Sequence, residues 1–200
     1  MLVAVVSAAA PAAHVSAKQG ETWYTGTQWI HSPKLFPAAN FTLPDQRRKS
    51  VSLRQFRGKV VLLSFTSSVC TGQCPLVARG MYTIERALGP LSKHTVLLNV
   101  SVDPASDTRK SVYHFAKEMG WLPYTWHYLW STRARELRVW KAYGVYDPPP
   151  PRVHKAHYDA IHLAVVAMVD QKDVVRGYFP YPFNAPHIAR GVKDLVLGRR

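Results

Sequence analysis

Residues 58–75 read GKVVLLSFTSSVCTGQCP and decide the fold. The run Val60–Thr66 is apolar without alternation, which is typical of a strand buried on both faces of a parallel sheet. Cys70 and Cys74 follow this run at once, and Pro75 suits the first turn of a helix. The stretch therefore predicts a central strand, a cysteine loop and a helix start, in that order.

The flanking sequence predicts further strands and helices in alternation. Asp107 and Ser131 are expected to cap the helices that follow them. The elements predicted are strands at 41–43, 51–53, 94–102 and 124–130, helices at 75–89, 108–119, 132–143 and 186–197, and a hairpin of 162–169 with 174–179. This order predicts an α/β domain of three layers, α/β/α, with a central mixed sheet and short N-terminal strands.

The chain is expected to comprise a leader, a lead-in and one domain. Residues 1–17 are small and apolar and end in Val-Ser-Ala, which predicts a signal peptide and export. This run is too short for a membrane span, which needs about 20 apolar residues. Residues 18–39 are expected to form an extended lead-in, and residues 40–200 a single domain. Export places the protein on the periplasmic side of the inner membrane.

The charge of the chain favours acidic partners. Lys and Arg number 26 against 12 acidic residues, which leaves a formal net charge of +14. Such a surface attracts an acidic protein face or an anionic membrane surface. Nucleic acid is not expected, because the basic cluster at 47–59 accompanies neither a recognition helix nor zinc-finger spacing.

Cys70 and Cys74 are the two cysteines of the chain, fewer than a disulfide-built scaffold uses. A disulfide between them closes a small ring and stabilises little, so a switch between dithiol and disulfide is a better interpretation than a structural staple. The helix start lowers a thiol pKa. Two thiolates can also chelate a soft metal ion such as Cu(I) or zinc. Two sulfur ligands leave the coordination of the metal incomplete, so a third ligand is expected. Two buried cysteines without chemistry remain the alternative.

Histidine is the natural third ligand, and spacing alone does not select one of the nine. His154 and His157 lie beside the proline run at 148–151, either as a metal pair or as exposed loop residues. His162 opens an apolar strand, where a structural role and a ligand role are both open.

Five segments together carry a family resemblance. They are FTLPD (41–45), GKVVLLSF (58–65), Cys70-x-x-x-Cys74-Pro75, SVDP (101–104) with Asp107-Thr108, and His162. In this combination the chain resembles, over about residues 40–197, the Sco (SenC) family of assembly factors for the copper site of cytochrome oxidase. The resemblance implies a thioredoxin-like fold that binds copper through Cys70, Cys74 and His162. Asp103 matches an acidic loop position near that site, or else braces its loop.

The implied function is that of a metallochaperone with a copper ion as cargo. Its expected partner is the copper-accepting subunit of cytochrome c oxidase or a similar acidic protein. The alternative is a thiol–disulfide oxidoreductase that uses Cys70 and Cys74 as its catalytic pair and binds no copper stably. Ile161 and Ser106 replace the Asp and Arg usual in the family, which predicts weaker outer-shell support for the histidine.

Two other classes of protein are alternatives to these interpretations. A peroxidase of the peroxiredoxin type expects proline and threonine seven and three residues before its reactive cysteine, where this chain has Leu63 and Ser67. A binding protein without redox chemistry would use the basic, aromatic-rich surface and leave the cysteines incidental.

Overall fold

The computed structural model describes residues 36–145 and 164–199. The strands are β1 (Phe36–Pro37), β2 (Thr42–Pro44), β3 (Ser50–Ser52), β4 (Val60–Thr66), β5 (Thr95–Ser101), β6 (Trp126–Leu129), β7 (Val165–Val169) and β8 (Val174–Pro180). The helices are α1 (Cys74–Leu88), α2 (Arg109–Glu118), α3 (Arg133–Ala142) and α4 (Ala185–Val196), with 3-10 turns at Leu53–Phe56 and Gly89–His94.

Six strands form one mixed sheet in the order β1-β8-β7-β4-β5-β6. The strands β4, β5 and β6 run parallel, while β7 is antiparallel to β4, and β8 is antiparallel to both β7 and β1. The strands β2 and β3 form a separate antiparallel pair. The cysteine loop therefore leaves the carboxyl end of an interior strand, β4.

The apolar residues of β4 divide between two cores because successive side chains of a strand point to opposite faces. Val60 and Leu62 pack with α1, α2 and α4, whereas Val61 and Leu63 pack with α3 and the β2–β3 pair. All residues of β4 and β5 are buried. The three-layer α/β/α class, the mixed sheet and the short N-terminal strands are thus confirmed.

The predicted elements are confirmed to within a few residues, but both predicted caps are wrong. The cap of α2 is Thr108, whose Oγ1 accepts a hydrogen bond from the Ser111 N–H at 3.1 Å. Asp107 instead turns inward, where hydroxyl groups from distant elements bind its carboxylate. The N-cap position of α3 is occupied by Thr132, not by Ser131. The backbone N–H of Ser131 donates a hydrogen bond to Glu136 Oε1 at 2.6 Å.

Several predictions fall on residues outside the described ranges: the leader at 1–17, most of the lead-in at 18–39, the proline run, and all three histidines at 154, 157 and 162. The end of the lead-in is described, and there Phe36–Pro37 joins the sheet beside β8. None of the helices in the described ranges is both long and apolar enough to cross a membrane.

Candidate functional site

Cys70 and Cys74 differ in how solvent reaches them. Cys70 lies half-buried in the loop after β4, while Cys74 is the first residue of α1 and is 1% exposed. The two are not joined by a disulfide. Gly72, between them, carries no side chain, and a Cβ there would lie 3.9 Å from Cys70 Sγ. The predicted placement at a helix start, where the helix dipole favours thiolate, is confirmed.

Asp107 holds the loop that precedes Cys70. Its carboxylate accepts hydrogen bonds from Ser68 N (2.8 Å), Ser68 Oγ (2.5 Å), Ser101 Oγ (2.6 Å) and the Tyr128 hydroxyl (2.8 Å). Burial raises the pKa of Asp107, and the bonds from Ser101 and Ser68 oppose that rise. Two strands, β5 and β6, and the cysteine loop therefore meet on one buried carboxylate.

Tyr128 connects this carboxylate to the end of β4. The side chain is fully buried in β6, and its hydroxyl lies 2.8 Å from Asp107 Oδ2 and 2.9 Å from the Thr66 carbonyl oxygen. Burial raises its pKa well above the usual value, and the charges of Asp107 and Cys74 add to the rise. Tyr128 therefore stays a neutral phenol at neutral pH.

Glu136 adds a second buried carboxyl group at the same end of the sheet. Its side chain is 0% exposed; Oε1 accepts from Ser131 N at 2.6 Å, and Oε2 has no hydrogen-bond partner among the described residues. Burial raises the pKa of Glu136 to about 8; the Ser131 bond opposes this, and the charges of Asp107 and Asp103 add to it. Glu136 therefore holds a proton at neutral pH.

Asp103 braces the loop after β5. Its carbonyl oxygen accepts from Ser106 N and Asp107 N, both at 3.1 Å, and its own N–H donates to Ser101 Oγ at 3.0 Å. These bonds are made by the backbone of Asp103, so the two roles predicted for this acidic residue stay predictions. Because β4 and β5 run parallel, the loop after β5 lies at the same edge of the sheet as the cysteine loop.

The predicted ligand set is only partly described. Cys70 and Cys74 lie where the sequence places them, and His162 lies outside the described residues, so its part in the set stays a prediction. Within the ranges 36–145 and 164–199, no group of three or more His, Cys, Asp or Glu is arranged to hold a metal ion.

Sequence reasoning missed Ser68, Tyr128 and Glu136. A signal existed for Glu136, because it shares a helix face with Val139, Trp140 and Tyr143 at spacings of three, four and seven residues. No local signal marks Ser68 or Tyr128, since their shared partner Asp107 is distant in sequence from both.

The arrangement suits two kinds of chemistry. A half-buried thiol backed by a buried one can attack a disulfide and then resolve the mixed disulfide. The same two sulfurs can chelate a soft metal ion when both are deprotonated. A nearby carboxyl group favours a cation over a further anion at this end of the sheet when it is ionised.

A family model described as SCO1/SenC matches residues 32–197 of the chain. Among curated proteins, the SCO1 protein homolog of Bacillus subtilis (strain 168) is 31% identical over 91 residues, which cover 46% of this chain and 47% of that protein. The match thus spans about half the length of the relative.

Solved structures share the fold. ScoI of Bradyrhizobium japonicum, with copper bound, superposes with a TM-score of 0.66 at 23% identity and covers 80% of this chain and 99% of its own. The thioredoxin domain of a thiol-disulfide oxidoreductase from Bacteroides vulgatus gives a TM-score of 0.57 at 18% identity, with 80% and 96% covered. These likenesses confirm the thioredoxin-like fold class.

Proposed function

Since the chain belongs to the SCO1/SenC family, we propose that it binds one copper ion as cargo and delivers it to the copper site of cytochrome c oxidase. The ligands are Cys70, Cys74 and His162. The observation that carries the proposal is the thiol pair at the start of α1, with Cys70 half-buried and Cys74 beneath it. The copper bound to the related ScoI supports the choice of metal.

Soft thiolate sulfur selects Cu(I) over hard cations, and an imidazole completes a three-ligand set. Binding releases the thiol protons, so copper affinity rises with pH through the range in which the cysteines ionise. Handover proceeds by ligand exchange: an acceptor thiolate displaces Cys70 first, because Cys70 is the more accessible of the two sulfurs.

A second function rests on the same pair. In it, the Cys70 thiolate attacks a disulfide of the acceptor and forms a mixed disulfide, releasing one acceptor thiolate. Cys74 then attacks Cys70 Sγ, which frees the second acceptor thiolate and leaves a Cys70–Cys74 disulfide. Two electrons pass to the acceptor, and an external dithiol reductant must restore the pair. The likeness to a thioredoxin domain supports this alternative.

The proposed partner is the copper-accepting subunit of cytochrome c oxidase or a similar acidic protein. The net charge of +14 supports an acidic acceptor, because complementary charge raises the rate of encounter. The apolar segment at 1–17 supports export and action on the periplasmic side of the inner membrane.

Anaerobic titration of the reduced protein with Cu(I), in competition with a chromophoric chelator, tests the copper proposal. Cys70→Ser, Cys74→Ser and His162→Ala are each expected to weaken affinity by more than about a hundredfold, beyond the loss typical of an outer-shell residue. His94→Ala, at an exposed histidine, is the matched control and should bind copper as the parent does. A cysteine variant of unchanged affinity would overturn the proposal.

Reduction of a disulfide-bonded peptide separates the two functions. His162→Ala should lose copper affinity while it reduces the peptide at the parent rate, because the histidine takes no part in dithiol exchange. A parent protein that reduces the peptide but binds no Cu(I) would establish the oxidoreductase alternative.

A further inference from the structure

A groove of about 390 Å³ lies between α2, the edge strand β6 and the turn that joins β2 to β3. The side chains that line it are Gln46, Arg47, Arg109, Tyr113, Leu122 and Trp126. None of the six is acidic, and three of them are large and apolar or aromatic. The groove thus combines positive charge with an apolar surface.

The floor of the groove is held in place by Gln46. This side chain runs along the outer edge of β6, where its Oε1 accepts from Tyr128 N at 2.9 Å and its Nε2 donates to the Trp126 carbonyl at 3.4 Å. Gln46 and Trp126 are only 9% and 8% exposed. A ligand therefore meets a preformed surface and need not order it on binding.

Two arginines of the groove have no acidic partner among the described residues. Arg109 Nε donates to the Gln46 carbonyl oxygen at 3.2 Å, which orients the guanidinium without neutralising it. The ion pairs Arg57–Asp173, His114–Glu118, His127–Asp45 and Arg176–Asp170 involve neither Arg47 nor Arg109. Both cations remain available to a ligand, and an arginine offers a carboxylate two parallel N–H donors.

The carboxylate of Asp45, the residue before Gln46, is already engaged. It is 2% exposed, and its Oδ1 accepts from the backbone N–H groups of Arg47 and Lys49 at 2.8 and 2.9 Å. Its Oδ2 lies 3.2 Å from His127 Nδ1. Asp45 thus shapes the turn and does not occupy the arginines' side-chain donors.

The other half of the groove is apolar and open. Tyr113 and Leu122 are 56% and 40% exposed, which is high for side chains of their size. They line the groove together with the buried Trp126. Aromatic side chains beside an apolar seat are the usual anchors of protein interfaces.

We propose that this groove binds an acidic peptide segment of a partner protein. A carboxylate side chain of the segment contacts Arg47 and Arg109, and a neighbouring apolar side chain rests on Trp126 between Tyr113 and Leu122. Charge complementarity supports this occupant, because the chain carries +14 and the groove itself holds no acid. A concave groove with a preformed floor also fits a single side chain better than a flat lipid surface.

Asp107 links the groove to the cysteine loop. Arg109 lies two residues after Asp107, whose carboxylate binds Ser68 in that loop. A segment docked on Arg109 would therefore hold its protein at the end of the sheet where the cysteine loop lies. Binding in the groove needs no metal, so it is tested on copper-free protein, and its failure leaves the copper proposal untouched.

The test is fluorescence anisotropy with a labelled, capped octapeptide of six glutamates around two central leucines, titrated with the reduced, copper-free full chain. The double variant Arg47→Gln/Arg109→Gln is expected to bind about tenfold or more weakly, since it loses two charge-assisted contacts. Arg86→Gln/Arg138→Gln removes the same charge from exposed positions on α1 and α3, and should bind nearly as the parent does. Circular dichroism checks that each variant is folded.

Two further arms test the apolar seat and the class of partner. Leu122→Ser, or a peptide with serines for its leucines, should bind several-fold more weakly. If Arg47→Gln/Arg109→Gln and Arg86→Gln/Arg138→Gln lost the same peptide affinity, net charge alone would explain the binding and the proposal would be overturned. So would binding of phosphatidylglycerol vesicles that is lost in Arg47→Gln/Arg109→Gln while peptide binding is unchanged, because it would assign the groove to a membrane.

Discussion

The two ends of β5 bury acidic side chains in different surroundings. At its amino end, Glu85 of α1 accepts a hydrogen bond from Thr95 Oγ1 at 2.7 Å, and burial raises its pKa to about 7 against the effect of that bond. At its carboxyl end, Asp107 and Glu136 lie close enough for their charges to interact, and the pKa of Glu136 is about 8. Acidic groups are thus concentrated where the thiols lie.

This difference has a functional consequence. A lone buried acid such as Glu85 only makes stability depend on pH. At the other end, Asp107 in its ionised form also favours a bound cation near Cys70 and Cys74, whereas the protonated Glu136 carries no charge. The hydroxyl donors around Asp107 keep that charge compatible with a folded core. Four experiments test the contrast between these two ends.

Replacement of Asp107 by Ala should have the largest effect. Ser68, Ser101 and Tyr128 would lose their shared acceptor, and buried donors without a partner are costly, so the free energy of unfolding should fall by about 3–5 kcal/mol. Urea unfolding of the reduced protein at pH 7 measures the change. Ser106→Ala, at an exposed neighbour in the same loop, should change stability by less than about 0.5 kcal/mol. A similar small loss for Asp107→Ala would show that the hydrogen-bond cluster does not stabilise the fold.

Glu136→Gln should remove a pH dependence from folding. The folded pKa of Glu136, about 8, lies above its unfolded value, so stability falls as pH rises from about 4.5 to about 8. The slope from this group is about 1.4 kcal/mol per pH unit within that window. The unfolding free energy is measured for parent and variant at pH 5, 6, 7 and 8. It should fall less steeply with pH in the variant than in the parent. Parallel curves would contradict a protonated Glu136.

Glu85→Gln should act in the same direction over a shorter window. Its folded pKa of about 7 ends the loss of stability near pH 7, so parent and variant should run parallel between pH 7 and 8. The same urea series measures this variant. If the slopes of parent and Glu85→Gln differed above pH 7 as much as those of parent and Glu136→Gln, the contrast between the two ends of β5 would be contradicted.

Tyr128→Phe should have the smallest effect of the four. The variant lacks the single hydroxyl proton that Asp107 Oδ2 and the Thr66 carbonyl oxygen share, which predicts a loss of about 1–2 kcal/mol in unfolding free energy. Tyr113→Phe, the same change at an exposed tyrosine, serves as the control in urea unfolding. Indistinguishable stabilities for these two variants would show that the buried hydroxyl adds nothing.

Prediction from sequence worked best for elements that local pattern specifies. The strands β4 and β5 are continuous apolar runs, and such runs are stable only inside a sheet covered on both faces. The start of α1 was predicted from Pro75 and the residues before it. Glu85 and Glu136 were also within reach, because each lies at helical spacing from buried apolar neighbours on its own helix.

Prediction failed where a local and a distant partner compete for one side chain. Asp107 is a good helix cap by residue type, yet Thr108 caps α2 and Asp107 binds hydroxyl groups of Ser68, Ser101 and Tyr128. The residues next to Asp107 in the chain give no signal from which these partners could be predicted. The groove at Arg109 has the same origin, since Gln46 and Trp126 meet there from distant segments.

Apolar periodicity and short motifs are local properties, so they predict the layer architecture, the helix start at the thiols and the family. Which acids are buried, which of them interact, and which arginines lack an acidic partner within the described ranges depends on how distant segments pack. The physical reason is that hydrogen bonds and charges act through space, and their energies depend on burial and distance, which the order of residues does not contain.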